Sequence, residues 1–262
     1  METKLEKFSP SMLIEYLNCP KSFYYKFIAK IQLPQKQIHL LFGGAIHEAI
    51  EGMYLKKNPY PIFIEKFDKN KLTEEEKELH EEYLKLGKEM LMNYSEIHPT
   101  LNNLYHLDKG QSELYIRRKL INPLTGEESS LPISGRIDRI TNDETIVEYK
   151  TSANKWKEDD VSYRIQTLLY NLWFYTEYGR LPKKTIYIIL LKKYKDKGNE
   201  KGNNEIYQVF ENHCTLTELA STFDEIKIIL HKIEDGEFER PTKNHPYFCD
   251  CYKIEEALNI KQ

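Results

Sequence analysis

Residues 135–150 of the chain, Gly-Arg-Ile-Asp-Arg-Ile-Thr-Asn-Asp-Glu-Thr-Ile-Val-Glu-Tyr-Lys, decide how the rest of the sequence is interpreted. Two apolar runs, 131–140 and 145–150, flank a polar Thr-Asn-Asp-Glu cluster, and this pattern predicts a β-hairpin. Strand side chains alternate between faces, so Glu148 and Lys150 point the same way and Tyr149 points the opposite way. Asp138 lies near the end of the first strand, where the hairpin can bring it beside Glu148.

The predicted group of two carboxylates and one ammonium has apolar neighbours, among which unpaired charges are costly. A divalent cation would remove that cost, because carboxylate oxygens suit Mg²⁺ or Mn²⁺. Lys150 would then be left to stabilise a developing anion or to position a water molecule. The same three residues also fit a solvated hairpin with a surface ion pair, so the rest of the chain must decide between the two interpretations.

Composition and charge limit the class of protein. At 262 residues the chain forms one large domain or a core with an appended subdomain. No apolar run approaches the roughly 18 residues of a membrane span, and residues 1–7 lack a hydrophobic signal segment. We therefore expect a cytoplasmic protein without a membrane partner. The net charge of −3 does not indicate nucleic-acid binding. Phosphate contacts would need a local basic patch such as 117–119 or 192–201, and solvated surface charge explains either run equally well.

Helices dominate the first hundred residues. Ser9 followed by proline predicts a helix start, and Thr73 with Glu76 forms a capping box within a helical stretch at 61–98. Residues 41–44 lead into a helix over 45–51, on which His47 and Glu51 share a face. A lone helical histidine is usually structural, but the glycine at 44 and alanine at 45 would let another backbone or a substrate come close.

The remainder alternates strands and helices. We predict a strand at 111–117, the hairpin, a long helix at 161–178, a doubly buried strand at 186–191 and another strand at 206–210. An amphipathic helix at 216–234 and a loop-like tail at 240–252 follow. Gln166 and Tyr170 are four residues apart on the long helix, so both can face the hairpin.

In order, the chain offers an early Cys-Pro followed by aromatics, Gly43 before His47, Gly-Arg-Ile-Asp138, Glu148-Tyr-Lys150 and Gln166-x-x-x-Tyr170. This set resembles the RecB-like branch of the PD-(D/E)XK nuclease superfamily, with CRISPR-associated RecB-like nucleases and phage exonucleases among its members. The resemblance spans roughly residues 9–252. It implies an α/β fold with a restriction-endonuclease-like core, a central mixed β-sheet flanked by helices. It also implies an N-terminal helical region, 1–100, that contributes His47, and a nuclease core, 101–262, with a C-terminal helix and tail.

Carried over residue by residue, the resemblance implies places at the site for eight residues. His47, Asp138, Glu148 and the carbonyl of Tyr149 would ligate Mg²⁺ or Mn²⁺. Lys150 would orient or help to deprotonate the attacking water. Gln166 and Tyr170 would lie close to the scissile strand, and Glu113 occupies the place of a strand glutamate that relatives often carry near the site.

The function that the resemblance implies is a metal-dependent DNA nuclease. We expect an exonuclease acting on single strands or duplex ends, in recombination, repair or phage DNA processing. One alternative is a CRISPR-adaptation-type nuclease that trims fragments before integration. Another is a catalytically silent DNA-binding module. Such a module would be expected to have lost a carboxylate or the lysine, and this chain has all of them.

Four cysteines, Cys19, Cys214, Cys249 and Cys251, are not expected to form disulfides in an intracellular protein. Some relatives hold a [4Fe–4S] cluster with one cysteine in the early Cys-Pro and three near the C-terminus. Here the C-terminal pair is spaced Cys-x-Cys and no third cysteine follows, so Cys214 would have to supply the fourth ligand. We therefore expect reduced, partly buried thiols rather than a cluster.

Overall fold

The structure is a computed structural model that describes residues 5–31, 37–157, 161–192, 205–241 and 249–258. Within these ranges the helices are α1 (Pro10–Asn18), α2 (Pro20–Phe23), α3 (Ile38–Tyr54), α4 (Pro59–Lys66), α5 (Glu74–Tyr105), α6 (Val161–Tyr178), α7 (Leu216–Glu234) and α8 (Asp250–Ala257). The strands are β1 (Gly110–Ile121), β2 (Glu128–Thr141), β3 (Thr145–Ser152), β4 (Lys184–Leu191) and β5 (Tyr207–Asn212). A π-helical turn, Tyr24–Ile28, continues α2.

One mixed sheet runs through the described residues in the order β1-β2-β3-β4-β5. The β1–β2, β2–β3 and β4–β5 pairs are antiparallel, whereas β3 and β4 are parallel and are connected through α6. β4 is almost fully buried along its length, as its continuous apolar sequence predicts for a strand covered on both faces.

Helices cover the two faces of the sheet and enclose separate apolar cores. On one face, side chains of α3, α4 and α5 pack with Val147 and Tyr149 of β3. On the other, α6 and α7 pack with Ile133 and Ile137 of β2, and Phe8 and Leu13 from the N-terminal segment join them. Because successive strand residues alternate faces, β3 contributes to both cores.

Local sequence signals set most helix boundaries. The Ser9 side chain accepts a hydrogen bond from the Met12 amide at the start of α1, and the Thr73–Glu76 capping box is present at the start of α5. α3 differs from the prediction: it begins at Ile38, so Gly43 and Gly44 lie inside the helix rather than before it. Burial of Ile38 and Phe42 offsets the helix-propensity cost of two glycines.

The predicted α/β fold class, a central mixed sheet flanked by helices with an N-terminal helical region, is confirmed. The predicted boundary at residue 100 falls inside α5, and the division into two regions remains a prediction. The prediction of a loop-like tail over 240–252 was wrong at its end, since residues 250–252 are helical and Cys251 packs with Cys19 and Tyr25. None of the described helices combines the length and the apolar composition that a membrane-spanning segment needs.

Two helical glycines give opposite expectations for stability. A Cβ on Gly87 would lie 2.0 Å from Cζ of Phe63, whereas a Cβ on Gly44 would meet no atom within 4 Å. We expect Gly87→Ala to lower the free energy of unfolding by about 2 kcal/mol through overpacking. Gly44→Ala should raise it by about 0.5–1 kcal/mol through helix propensity. Urea unfolding of both variants checks this, and equal effects would contradict the packing described for α5.

Candidate active site

The central hairpin is paired over only a short length. Arg139 pairs with Val147 and Ile140 with Ile146, and beyond these positions β2 and β3 separate. Side chains replace the missing backbone bonds at this point. The Tyr149 amide donates to the Asp138 carboxylate at 2.7 Å, and the Asp138 amide lies 3.4 Å from Oε1 of Glu148. The fork between the strands therefore brings the two acids together.

Two cationic groups approach the acids from different elements. Nδ1 of His47, on α3, lies 3.4 Å from Oδ1 of Asp138, and Nζ of Lys150 lies 3.2 Å from Oε2 of Glu148. α3 crosses close to β3, where a Cβ on Gly43 would lie 3.5 Å from the Thr151 hydroxyl. His47 follows one helical turn later, which carries its ring over the fork.

Gln166 and Tyr170 reach the same fork from α6. The Gln166 amide nitrogen donates to Oε2 of Glu148 at 3.0 Å and to the Tyr170 hydroxyl at 3.2 Å. The Tyr170 hydroxyl in turn donates to the Arg136 carbonyl at 2.9 Å. Burial, together with the negative charge of Glu148, raises the pKa of Tyr170. The hydroxyl thus stays protonated and ties α6 to β2.

The charges in the fork are mutually dependent. Burial and the neighbouring Asp138 charge raise the pKa of Glu148 to about 8. Burial alone would also raise the pKa of Asp138, but His47, Lys150 and the Tyr149 amide outweigh it and hold that pKa below its usual value. Burial lowers the pKa of His47, but the Asp138 carboxylate raises it by more, so the net pKa of His47 is raised. The protein alone thus neutralises one acid with cations and the other with a proton.

This donor set fits a divalent cation. Two converging carboxylates supply hard oxygen ligands, and an imidazole completes a set that Mn²⁺ also accepts. Glu148 has a 1% exposed side chain and its pKa is raised, so ionising it without a counter-cation costs on the order of a few kcal/mol. His47 contacts Asp138 directly, but among the described residues the ligand atoms of His47, Asp138 and Glu148 do not all lie within 4.8 Å of one another. A bound cation would have to draw these side chains together, and their roles as metal ligands remain a prediction. The predicted fourth ligand, the carbonyl of Tyr149, remains a prediction.

A small cleft next to the fork carries further acids. Glu51 lies one turn after His47 on α3 and Glu113 lies on β1, and both line the cleft together with His47 and Asp138. Glu113 has a φ of +52°, a conformation that is rare for residues with a side chain, and it accepts a 2.9 Å hydrogen bond from Arg136. Burial, with the charges of Asp138 and Glu51, raises the pKa of Glu113.

A cluster of tyrosines behind the fork was not predicted. Tyr149 points away from Lys150, as the alternation of strand side chains requires, and its hydroxyl meets those of Tyr54 and Tyr94. The guanidinium of Arg139 lies 3.9 Å from the centre of the Tyr54 ring. Tyr54 comes seven residues after His47, two turns along the same helix face. That spacing was the available signal, but nothing local indicated Tyr94 as a partner.

Three of the four cysteines lie together. The sulfur atoms of Cys19, Cys249 and Cys251 are all within 4.8 Å of one another, with Cys19 and Cys251 3.8 Å apart. Cys214 packs in the core beneath α6 and α7 and lies 3.3 Å from the Asn212 amide oxygen. Cys214 is therefore not in the group that it would have to join as the fourth ligand of a cluster. The described cysteines supply three grouped ligands, which does not fit a four-cysteine cluster.

Comparison with known proteins places this geometry in a family. A profile of the PD-(D/E)XK nuclease superfamily matches residues 7–252. The structure is similar to that of a candidate exonuclease from Eubacterium rectale, with a TM-score of 0.55, 14% identity and coverage of 95% of this chain and 87% of that one. A protein designated SSO0001 gives a TM-score of 0.40 at 13% identity over 88% and 79% of the two chains, which is too slight to support an argument. No curated protein matches by sequence.

The raised pKa of Glu148 gives a pH-dependent stability. An unfolded glutamate ionises near its ordinary value of 4.5, whereas folded Glu148 ionises near 8. Between these values the folded state binds more protons, so its stability falls as the pH rises. In EDTA, we expect Glu148→Gln to flatten this fall and to be more stable than wild type at pH 8, by about 2 kcal/mol. The exposed substitution Glu89→Gln is the control. The free energy of unfolding is measured in urea from pH 5 to 8. If it falls with pH by the same amount in Glu148→Gln and wild type, the raised pKa does not belong to Glu148.

The cysteines give a second prediction. Burial, together with neighbouring Cys249 and Cys19, raises the pKa of Cys251 to about 12, which favours the protonated, unreactive thiol. We expect protein purified in air to be colourless, to contain no iron, and to release all four cysteines as titratable thiols on unfolding. A brown preparation with iron–sulfur absorption would contradict this, particularly if Cys19→Ser bleached it and Cys214→Ser did not.

Proposed function

Because the chain belongs to the PD-(D/E)XK nuclease superfamily, we propose that it is a metal-dependent deoxyribonuclease that hydrolyses phosphodiester bonds. We further propose that it is an exonuclease of the RecB-like branch, cytoplasmic, acting on single strands or duplex ends in recombination, repair or phage DNA processing. The observation that carries the proposal is the convergence of His47, Asp138, Glu148 and Lys150, from α3 and both hairpin strands, on one fork.

The residues at the fork divide the work of such a reaction. His47, Asp138 and Glu148 would hold a Mg²⁺ or Mn²⁺ ion, with the Tyr149 carbonyl as a further ligand. When bound, the ion lowers the pKa of a coordinated water and polarises the phosphate. Lys150 is the one cation of this group on the Glu148 side, with its side chain 28% exposed. Its ammonium would orient the attacking water or stabilise charge that develops on the phosphate oxygens.

Gln166 and Tyr170 act as positioning residues in this proposal. Gln166 donates to the same Glu148 oxygen, Oε2, that lies near Lys150, and so limits the rotation of that carboxylate. Tyr170 fixes Gln166 and the Arg136 carbonyl. A carboxylate that is held in place loses less conformational freedom when it binds a cation.

A silent DNA-binding module of the same fold is the second candidate. Such a module would be expected to lack a carboxylate or the lysine, and this chain retains all of them in contact. A CRISPR-adaptation-type nuclease would share the chemistry and differ only in its biological setting. The catalytic test below separates the silent module from both nucleases.

Cleavage should depend on the fork residues. With Mn²⁺, we expect wild type to degrade single- or double-stranded DNA labelled at either end, and Asp138→Asn or Lys150→Ala to lose at least about 100-fold in rate. The first variant removes a ligand charge and the second removes the ammonium. Gel analysis of products from 5′- and 3′-labelled strands measures rate and polarity together.

Lys85→Ala, at an exposed position of α5, is the matched control and should cleave as wild type does. Circular dichroism of each variant establishes that folding is retained. If wild type binds DNA but cuts neither DNA form with Mn²⁺ or Mg²⁺, the silent module replaces the nuclease. Cleavage of matched RNA in place of DNA would contradict the proposed substrate.

A further inference from the structure

The basic run at 117–119 on β1 divides between the two faces of the sheet. Arg118 is opposite Ile133 in the register and its guanidinium binds Glu177 of α6 at 2.6 Å, on the face covered by α6 and α7. Arg117 and Lys119 project to the opposite face, and both are exposed. Of the other candidate basic run, 192–201, residues 193–201 lie outside the described residues.

Two more residues extend the exposed face. Phe8 pairs with Ile133 and packs in the core beneath α6 and α7, so neighbouring Lys7 turns outward. Tyr115 is 57% exposed, and its hydroxyl lies 3.3 Å from the Ser134 hydroxyl on the same face. The Ser134 hydrogen bond, aided by the positive charges of Lys7 and Arg117, lowers the pKa of Tyr115. These charges are therefore close to the ring.

Three of the positive charges on this face have no acidic partner among the described residues. Lys7, Arg117 and Lys119 form no ion pair with any other residue that the structure describes, whereas Arg118 on the same strand does. The chain as a whole has a net charge of −3, so a row of cations without acidic partners makes this face locally positive. It suits a polyanion, because phosphate groups supply the missing counter-charge.

The row leads to the fork. Tyr115 is opposite Arg136 in the β1–β2 register, and Arg136 binds Glu113 at the edge of the acidic cleft. From Glu113 to Lys119 the strand extends about 20 Å at the usual rise per residue. A chain lying along β1 would thus pass over cations and a tyrosine ring and end at the two acids.

We propose that Lys7, Tyr115, Arg117 and Lys119 form a binding track for single-stranded DNA, along which the strand reaches the fork. The proposal rests on the proposed function and adds the substrate form and its direction of approach. An exposed ring between cations stacks on an unpaired base while the cations contact the flanking phosphates. In a duplex the base faces are covered, so Tyr115 would have no stacking partner.

Direct binding measurements test the track without catalysis. Fluorescence anisotropy with a labelled oligothymidylate in EDTA compares wild type with Lys7→Ala/Arg117→Ala/Lys119→Ala. The control is Arg118→Ala/Lys227→Ala/Lys232→Ala, which removes the same number of positive charges from the opposite side of the sheet. We expect the track variant to bind at least 10-fold more weakly. The slope of log affinity against log salt concentration should be less steep by about 2, because each of the three lost phosphate contacts accounts for about 0.7. The control should stay within about 2-fold of wild type.

Tyr115 provides an independent test of base stacking. Tyr115→Phe keeps the ring and should bind oligothymidylate as wild type does, whereas Tyr115→Ala should bind at least 5-fold more weakly. Both variants should bind a blunt duplex equally. The proposed track is wrong if the two triple variants weaken binding equally, or if the track variant binds like wild type. The same conclusion follows if Tyr115→Ala binds oligothymidylate like wild type.

Hydrolysis of bis(p-nitrophenyl) phosphate with Mn²⁺ separates this proposal from the nuclease proposal. This small diester is too short to span the roughly 20 Å of β1 from Glu113 to Lys119, so the track variant should hydrolyse it at the wild-type rate while losing oligonucleotide cleavage. Loss of both activities in the track variant would contradict a role in binding alone. If wild type hydrolyses neither substrate, the nuclease proposal fails, and the anisotropy result still decides the track.

Discussion

Strands β2 and β3 separate beyond the Arg139–Val147 pair, and the rest of the site depends on that fork. Had the ladder continued, the Tyr149 amide would bond to a backbone carbonyl; instead it donates to the Asp138 carboxylate. Glu148 occupies the other side of the gap with its side chain almost fully buried. Two acids held this close cannot both stay ionised without nearby positive charge. The surrounding elements supply positive charge through His47 and Lys150, and the pKa of Glu148, raised to about 8, keeps a proton on the second acid at neutral pH.

The scaffold around the fork has two supports with different chemistry. On the α3 and α5 side, Tyr54, Tyr94 and Tyr149 join their hydroxyls in a largely buried cluster, which holds β3 against the helices. On the α6 side, Gln166 and Tyr170 bond to Glu148 and to the backbone of β2. Each support contacts one face of the hairpin, so the acids are positioned between two rigid elements. Such support is what a site needs to hold its functional side chains in place before a substrate or a cation binds.

Features that depend on neighbouring residues were predictable from the sequence, and those that depend on long-range packing were not. The hairpin and α7 (Leu216–Glu234) matched their predicted places because alternation, turn residues and capping are local signals. The resemblance to a known family supplied His47, which lies 91 positions before Asp138. Nothing local indicated that Tyr94 would meet Tyr149, or that Cys214 would pack apart from the other cysteines. α3 began earlier than its glycines suggested because burial of Ile38 outweighs propensity.

The central claim is that the fork between β2 and β3 binds a divalent cation between side chains that are distant in sequence. Anomalous diffraction from crystals of the whole chain soaked in Mn²⁺ tests it most directly. We predict an anomalous peak bounded by the His47 imidazole and the carboxylates of Asp138 and Glu148, and its disappearance in Asp138→Asn crystals soaked identically. A fork without a peak in wild-type crystals, or a peak that survives the Asp138→Asn substitution, would contradict the account.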